Sequence, residues 1–151
     1  MPTIALSGND SLIINNRNLV DFADGNAVEL KYPNDIAQVK TGKNGNSIFA
    51  LNESGRQCEL MVRMIRGSAD DKYLNNLLVQ QQANFAGFPL MIGEFIKQLG
   101  DGAGNIQNDT YILGSGIFQK QVEAKMNVEG DVDQSVSIYA MKFALSPRAI
   151  T

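Results

Sequence analysis

The fold is decided by residues 57–66, which read QCELMVRMIR. Successive side chains of a β-strand point to opposite faces, so this segment has one apolar face and one mixed face. The apolar face carries Cys58, Leu60, Val62 and Met64, and the mixed face carries Glu59, Met61, Arg63 and Ile65. We therefore predict a long strand whose apolar face belongs to a core and whose other face is partly polar.

Similar short segments occur on both sides of this strand, and clusters of Asn, Gly and Asp separate them. This alternation is typical of antiparallel sheets joined by tight turns. The segments predicted as strands are Ser11–Ile14, Leu19–Phe22, Ala27–Lys31, Ile36–Lys40, Ser47–Leu51, Pro89–Gln98, Ile106–Leu113, Gly116–Val128 and Val132–Leu145. Residues 129–131, Glu-Gly-Asp, are predicted to connect the last two.

One α-helix is predicted, over about residues 68–82. Ser68 can cap its first turn, and Asp70 and Asp71 place negative charge at the positive end of the helix dipole. Apolar residues then recur at three- and four-residue spacing as one narrow stripe, formed by Tyr73, Leu74, Leu77 and Leu78. The sequence thus predicts a mainly β protein, an antiparallel β-sandwich or barrel-like domain with one flanking helix.

The composition fits one globular domain spanning residues 1–151. Of the charged residues, 13 are basic and 16 acidic, and their interspersion leaves no basic patch for nucleic acid. No apolar run approaches the length of a membrane span, and Met1–Ser7 lacks the basic start of a secretion signal. We expect no membrane insertion, and we expect the protein to fold where it is made.

The residue types that carry most catalysis and metal binding are scarce. The chain has no His, and its single Cys58 lies in an apolar run where a thiol is inert. The glycine-rich loop 100–104 lacks the Lys-Ser/Thr of a P-loop. Asp101, Asn105 and Asp109 miss the spacing of a calcium loop. We predict no enzyme, no catalytic residue, no cofactor and no metal site.

Three stretches carry a family resemblance: PND at residues 33–35, GKNGNSIFA at 42–50 and GSADD at 67–71. On these motifs, and on the order of elements over about residues 20–148, the chain resembles the tail tube proteins of contractile-tailed bacteriophages. The resemblance implies a tail-tube fold and a structural virion protein. Hexameric rings would stack into an inner tail tube, through which the genome passes into the host.

The resemblance also implies roles for particular residues. An inter-ring loop would comprise Thr41, Gly42, Lys43, Asn44, Gly45 and Asn46. On the long strand, Glu59 and Arg63 share the face opposite the apolar residues and are the predicted lumen residues. Implied partners are further copies of the chain and the tail sheath, baseplate and tape-measure proteins. DNA would cross the lumen without specific binding, and the tail would assemble in the host bacterial cytoplasm.

Two alternatives stay open. The tube of a tailocin or of a type VI secretion system shares this architecture, and residue patterns do not separate its cargo from phage DNA. A β-sandwich carbohydrate-binding module is an alternative from another class of protein. Such a module usually exposes aromatic rings for sugar stacking, whereas this chain has no Trp and four Tyr.

Overall fold

A computed structural model describes residues 3–6, 8, 10–126 and 132–151, with the side chains of residues 132 and 133 excepted. Its strands are β1 (Ala5–Leu6), β2 (Ser11–Ile14), β3 (Arg17–Leu19), β4 (Val28–Lys31), β5 (Ala37–Thr41), β6 (Ser47–Leu51), β7 (Cys58–Ile65), β8 (Met91–Gly100), β9 (Ile106–Phe118), β10 (Glu123–Ala124), β11 (Val136–Leu145) and β12 (Arg148–Ile150). One α-helix, α1 (Ala69–Ala83), and two short 3-10 turns complete the described part of the chain.

Ten of these strands form one antiparallel sheet in the order β3-β2-β8-β9-β11-β7-β4, with β1, β10 and β12 paired at its margins. The sheet curls toward closure. After β3 the chain crosses to β7, where Phe22 bridges Met64 and the amide of Ile65 donates to the Asp21 carbonyl at 2.9 Å. The predicted mainly β, barrel-like class with one helix is therefore confirmed.

The core lies inside the curl of the sheet, beneath α1. Its buried side chains come from alternate positions of several strands, as the period of a half-buried strand requires. They include Leu12, Ile14, Leu19, Cys58, Leu60, Val62, Met64, Leu74, Leu78, Met91, Leu113, Phe118, Tyr139, Met141 and Phe143. On β7, the four residues predicted to face the core are all fully buried.

The turn chemistry at Asn15-Asn16 explains the first hairpin. Both residues have positive φ, 50° and 67°, the combination that a two-residue turn needs to match the twist of its strands. Asparagine tolerates this conformation better than most residues. The turn sets Ile14 opposite Arg17, so Leu12 and Ile14 point inward.

Several predicted boundaries are wrong. Strand β9 runs unbroken from Ile106 to Phe118, where a break was predicted between 113 and 116. The predicted strand Gly116–Val128 yields the end of β9 and then β10, because residues 119–122 stand opposite only two residues of β11 and bulge out of the ladder. The predicted connection at 129–131, like residues 127 and 128, lies outside the described residues.

Two further segments differ from prediction. Residues 132–135 form a 3-10 turn, so the last long strand begins at Val136. The predicted strand Leu19–Phe22 is displaced toward the N-terminus, to Arg17–Leu19, because the turn at Asn15-Asn16 starts the pairing early. The short strands β1 and β12 were not predicted, since both form only by adding to the extended ends of β8 and β9.

Gly93 lies where β8 passes closest to β2. A Cβ placed on Gly93 would approach the Ile13 carbonyl oxygen to 2.4 Å, so a side chain there forces the backbones apart. We expect Gly93→Ala to lower the free energy of unfolding by about 2–3 kcal/mol. Gly114→Ala is the matched control, because its Cβ would meet Leu145 Cβ at an ordinary 3.7 Å. Denaturant unfolding measures both, and equal stabilities would contradict this packing.

Candidate assembly surfaces

Strands β5 and β6 form a hairpin that stands apart from the sheet. Within the described residues the two strands pair only with each other, and all ten of their residues are exposed. The register places Val39 opposite Phe49 and Ala37 opposite Leu51. These four side chains share one side of the hairpin, which we call the apolar hairpin face.

The predicted inter-ring loop lies at the tip of this hairpin. Thr41 is the last residue of β5 and pairs with Ser47. Beyond it the amide of Gly42 donates to the Asn46 carbonyl at 2.7 Å, and the amide of Gly45 donates to the Gly42 carbonyl at 3.1 Å. Residues 41–46 are all exposed, so the loop is a hydrogen-bonded turn at the far end of the hairpin.

Contacts at the base of the hairpin hold its two ends together. The amide of Asn52 donates to the Ile36 carbonyl at 2.9 Å, and Asn34 Nδ2 donates to the Ser54 carbonyl at 3.2 Å. Gly55 approaches so closely that a Cβ on it would lie 2.7 Å from Ile36 Cα. The two ends of the hairpin are therefore held together by a tight, glycine-dependent contact.

The apolar hairpin face is unusual for a surface. Phe49 is 77 % exposed and Leu51 is 71 % exposed. An isolated two-stranded hairpin is marginally stable in water, and full burial of one large apolar side chain contributes about 1.5–3 kcal/mol. Contiguous exposed apolar side chains usually mark an interaction site. This face is the strongest candidate for a contact with another chain.

A second candidate surface is the side of the sheet that faces away from the core. Its charged residues are Glu29, Lys31, Glu59, Arg63, Glu94, Glu123 and Lys142. The two predicted lumen residues, Glu59 and Arg63, both lie on it and are half-buried. In register, Glu59 lies between Lys31 and Lys142, whereas Arg63 lies near the other end of β7, opposite Ile138.

The start of α1 has a different character from these surfaces. Ser68 Oγ accepts from the amide of Asp71 at 3.2 Å, which is an N-cap hydrogen bond. Asp70 is 1 % exposed and does more than complement the helix dipole. Its carboxylate accepts from Arg17 Nε at 2.8 Å and from the amides of Val20 and Asp21 at 2.7 and 2.9 Å. Asp70 thus ties the helix to the crossing segment after β3.

The side chain of Asp71 makes a similar tie on the other side. Its carboxylate accepts from the amide of Gly67 at 2.8 Å and from Ser137 Oγ at 3.2 Å, and the Tyr139 hydroxyl also donates to it. Burial, together with this hydrogen bond, raises the pKa of Tyr139 above its ordinary value. The predicted capping residues are therefore also the anchors of α1 on the sheet.

Three side chains considered for chemistry in the sequence are buried or hydrogen-bonded in the structure: those of Cys58, Asp101 and Asp109. Burial raises the pKa of the Cys58 thiol. Asp101 accepts from the amides of Ala103 and Asn105 and so closes its own loop. Asp109 accepts from Arg148 Nε at 2.7 Å, and this bond keeps the Asp109 pKa below its ordinary value. Among the described residues, no three His, Cys, Asp or Glu side chains are grouped as metal ligands.

Three features of the structure were not predicted from the sequence. The exposure of the apolar hairpin face has no local signal, because Ile36–Lys40 and Ser47–Leu51 have the composition of ordinary strands. The Asp70–Arg17 and Asp109–Arg148 pairs join residues far apart in the chain. Gln81 is buried, and its side-chain amide accepts from the Phe118 amide at 2.8 Å and donates to the Phe118 carbonyl at 2.9 Å. These are the hydrogen bonds that a neighbouring strand would otherwise make. The only sign of this role in the sequence is that Gln81 lies four residues after Leu77 and so on the same face of the helix.

Comparison with known proteins adds no relative. No protein-family model matches the chain, and no curated protein matches it. Across the residues that the structure describes, no helix has the length and apolar content needed to cross a membrane.

Proposed function

We propose that this chain is a self-assembling structural protein, the subunit of the inner tail tube of a contractile-tailed bacteriophage. Copies form closed rings, and the rings stack head to tail around a lumen that conducts the genome. Sheath, baseplate and tape-measure proteins are the partners of such a tube. A tailocin or type VI secretion tube would use the same surfaces.

The observation that carries the proposal is the projecting hairpin. A hydrogen-bonded base, a polar tip and an apolar face suit a contact made repeatedly with an identical neighbour. A contact between two different patches of the same chain does not close on itself in a dimer, so it generates rings or open stacks. Ring closure would also remove the exposed strand edges that invite aggregation.

The face that carries Glu59 and Arg63 suits the lumen of such a tube. It carries four acidic and three basic residues, so it has no excess of positive charge. DNA binding through counterion release needs an excess of positive charge. A surface without a positive excess, in a chain of net charge −3, lets DNA pass without retaining it.

Sedimentation velocity and negative-stain electron microscopy of the purified protein test this proposal. We expect species that grow from monomers into rings or tubes with a central hole as the concentration rises from micromolar to millimolar. Growth is expected because, by mass action, a higher protein concentration favours the formation of each repeated apolar contact. A compact monomer at every concentration, with no rings or tubes on the grid, would overturn the proposed function.

A further inference from the structure

The hairpin and one groove of the chain lie at opposite ends of the curled sheet. The hairpin leaves the body between the end of β4 and the start of β7. β7 has eight residues, so its far end, at Ile65, is about 25 Å away. In a head-to-tail stack, the end that carries the hairpin meets the far end of the next copy. The receiving surface should therefore lie near Ile65.

A groove of about 280 Å³ opens at that far end. Its lining residues are Phe22, Ala23, Asp24, Arg63, Ile65, Ser135 and Val136. Its volume lies near the lower end of the range for small-molecule sites, about 300–1,000 Å³, and a few protruding side chains can fill such a space. Ile65 is 47 % exposed at its margin, which leaves apolar surface for an incoming chain to cover.

Two polar groups of the groove lack partners in the described part of the chain. Arg63 Nε is buried without a hydrogen-bond acceptor. Leaving a charged donor unsatisfied costs more free energy than leaving a neutral one unsatisfied, so an acceptor from another chain would relieve that cost. Asp24 is exposed, and none of the ion pairs between described residues includes it.

The hairpin offers the complementary groups. Residues 36–52 contain Lys40 and Lys43 and no acidic residue. The tip also presents the side-chain amides of Asn44 and Asn46, whose oxygens accept hydrogen bonds. A basic, acceptor-rich tip matches a groove that contains one free carboxylate and one unsatisfied guanidinium donor.

We propose that this groove receives the hairpin tip of a second copy of the chain, with Lys43 facing Asp24 and a tip acceptor facing the Arg63 guanidinium group. This inference rests on the proposed function, because it assigns the receiving surface of the stacking contact. It makes Arg63 an interface residue at the rim of the sheet face rather than a residue of the open lumen.

A charge exchange tests the pairing in the full-length chain. Asp24→Lys should place like charges at every contact and raise the concentration for half-assembly at least tenfold, as should Lys43→Asp. The double variant Asp24→Lys with Lys43→Asp restores opposite charges and should recover most of the assembly. Lys72→Asp, a charge reversal on the exposed side of α1, should assemble like the unaltered protein. Thermal midpoints show whether each variant is folded.

The outcomes separate this inference from the proposed function. If the unaltered protein stays monomeric, both fall. If it forms tubes and Asp24→Lys forms them equally well, the groove is not the receiving surface, while the tube function stands. If each single variant fails and the double variant fails as well, the assigned pairing of Asp24 with Lys43 is wrong. Recovery in the double variant alone supports it.

Discussion

Replacing Phe49 with aspartate is expected to abolish tube assembly and to leave the fold intact. Phe49 is 77 % exposed, so the folded monomer loses almost no packing when it is removed. In an assembled contact, the variant would forfeit about 1.5–3 kcal/mol of apolar burial and add the cost of desolvating a charge. We expect association at least 100-fold weaker at each contact, which corresponds to about 2.7 kcal/mol.

A matched variant on the other side of the hairpin isolates the apolar face. Gln38→Asp introduces the same charge on an exposed position whose cross-strand partner is Ala50, away from Phe49. It should assemble nearly as the unaltered protein does. Circular dichroism should show both variants melting within about 2 °C of it, because exposed substitutions change stability by about 0.5 kcal/mol. If Phe49→Asp still forms tubes, the apolar hairpin face is not part of the contact between subunits.

The sequence was most informative where one strand carries its own pattern. The alternation over residues 57–66 predicted which side chains of β7 are buried, because a strand between two neighbours needs an apolar residue at every second position. The N-cap of α1 was equally visible, since Ser68 acts within one helical turn. These features depend on contacts within a few residues, and short-range patterns record them directly.

Features that depend on distant partners were not predictable. The break predicted between residues 113 and 116 does not occur, because β9 continues through Gly114 and Gly116. A Cβ on Gly116 would lie 2.3 Å from Phe143 Cε1, so glycine at this position lets the ring of a neighbouring strand pack there. Strand β12 exists only because β9 extends beyond β11 and offers it an edge.

The candidate assembly surface was half predictable for the same reason. Polar, glycine-rich residues 41–46 indicated a turn between two strands, and the structure places a turn there. Whether Val39, Phe49 and Leu51 face a core or solvent depends on whether another layer lies over them. A sequence pattern that would fill a core in one chain becomes an exposed face here because β5 and β6 leave the sheet.

Replacing Asp70 with alanine is expected to cause the largest loss of stability of any single substitution proposed. It removes the acceptor for Arg17 Nε and for the amides of Val20 and Asp21. Each amide left unsatisfied costs about 1–3 kcal/mol, and Arg17, at 41 % exposure, recovers part of its hydration. We expect a loss of about 3 kcal/mol, or about 10 °C in thermal midpoint.

The control for Asp70→Ala is Glu53→Ala, which removes an exposed carboxylate from its pair with Arg56. Both side chains of that pair are more than 60 % exposed, at 61 % and 68 %, so its removal should cost no more than about 1 kcal/mol. Similar losses in the two variants would show that the contacts of Asp70 do not hold α1 to the sheet.

The pH dependence of stability gives an independent test of the same contacts. Burial raises the pKa of Asp70, but the hydrogen bonds from Val20, Asp21 and Arg17 outweigh it and hold the pKa below its ordinary value. A carboxyl whose pKa is lower in the folded state binds protons more readily when unfolded. Its stabilisation is therefore complete above the unfolded pKa, about 3.9, and is lost as the pH falls through the folded value.

Unfolding free energy measured from pH 7 downward should thus fall less steeply below about pH 4 in Asp70→Ala than in the unaltered protein. Some acid dependence should remain in the variant, because Arg148 also keeps the pKa of Asp109 below its ordinary value.

Asp70→Asn separates charge from hydrogen bonding, since the amide oxygen can still accept from Val20 or Asp21 but does not titrate. It should regain part of the stability at pH 7 while keeping the shallow acid slope of the alanine variant. An asparagine variant with the full slope would place the titrating group elsewhere in the chain.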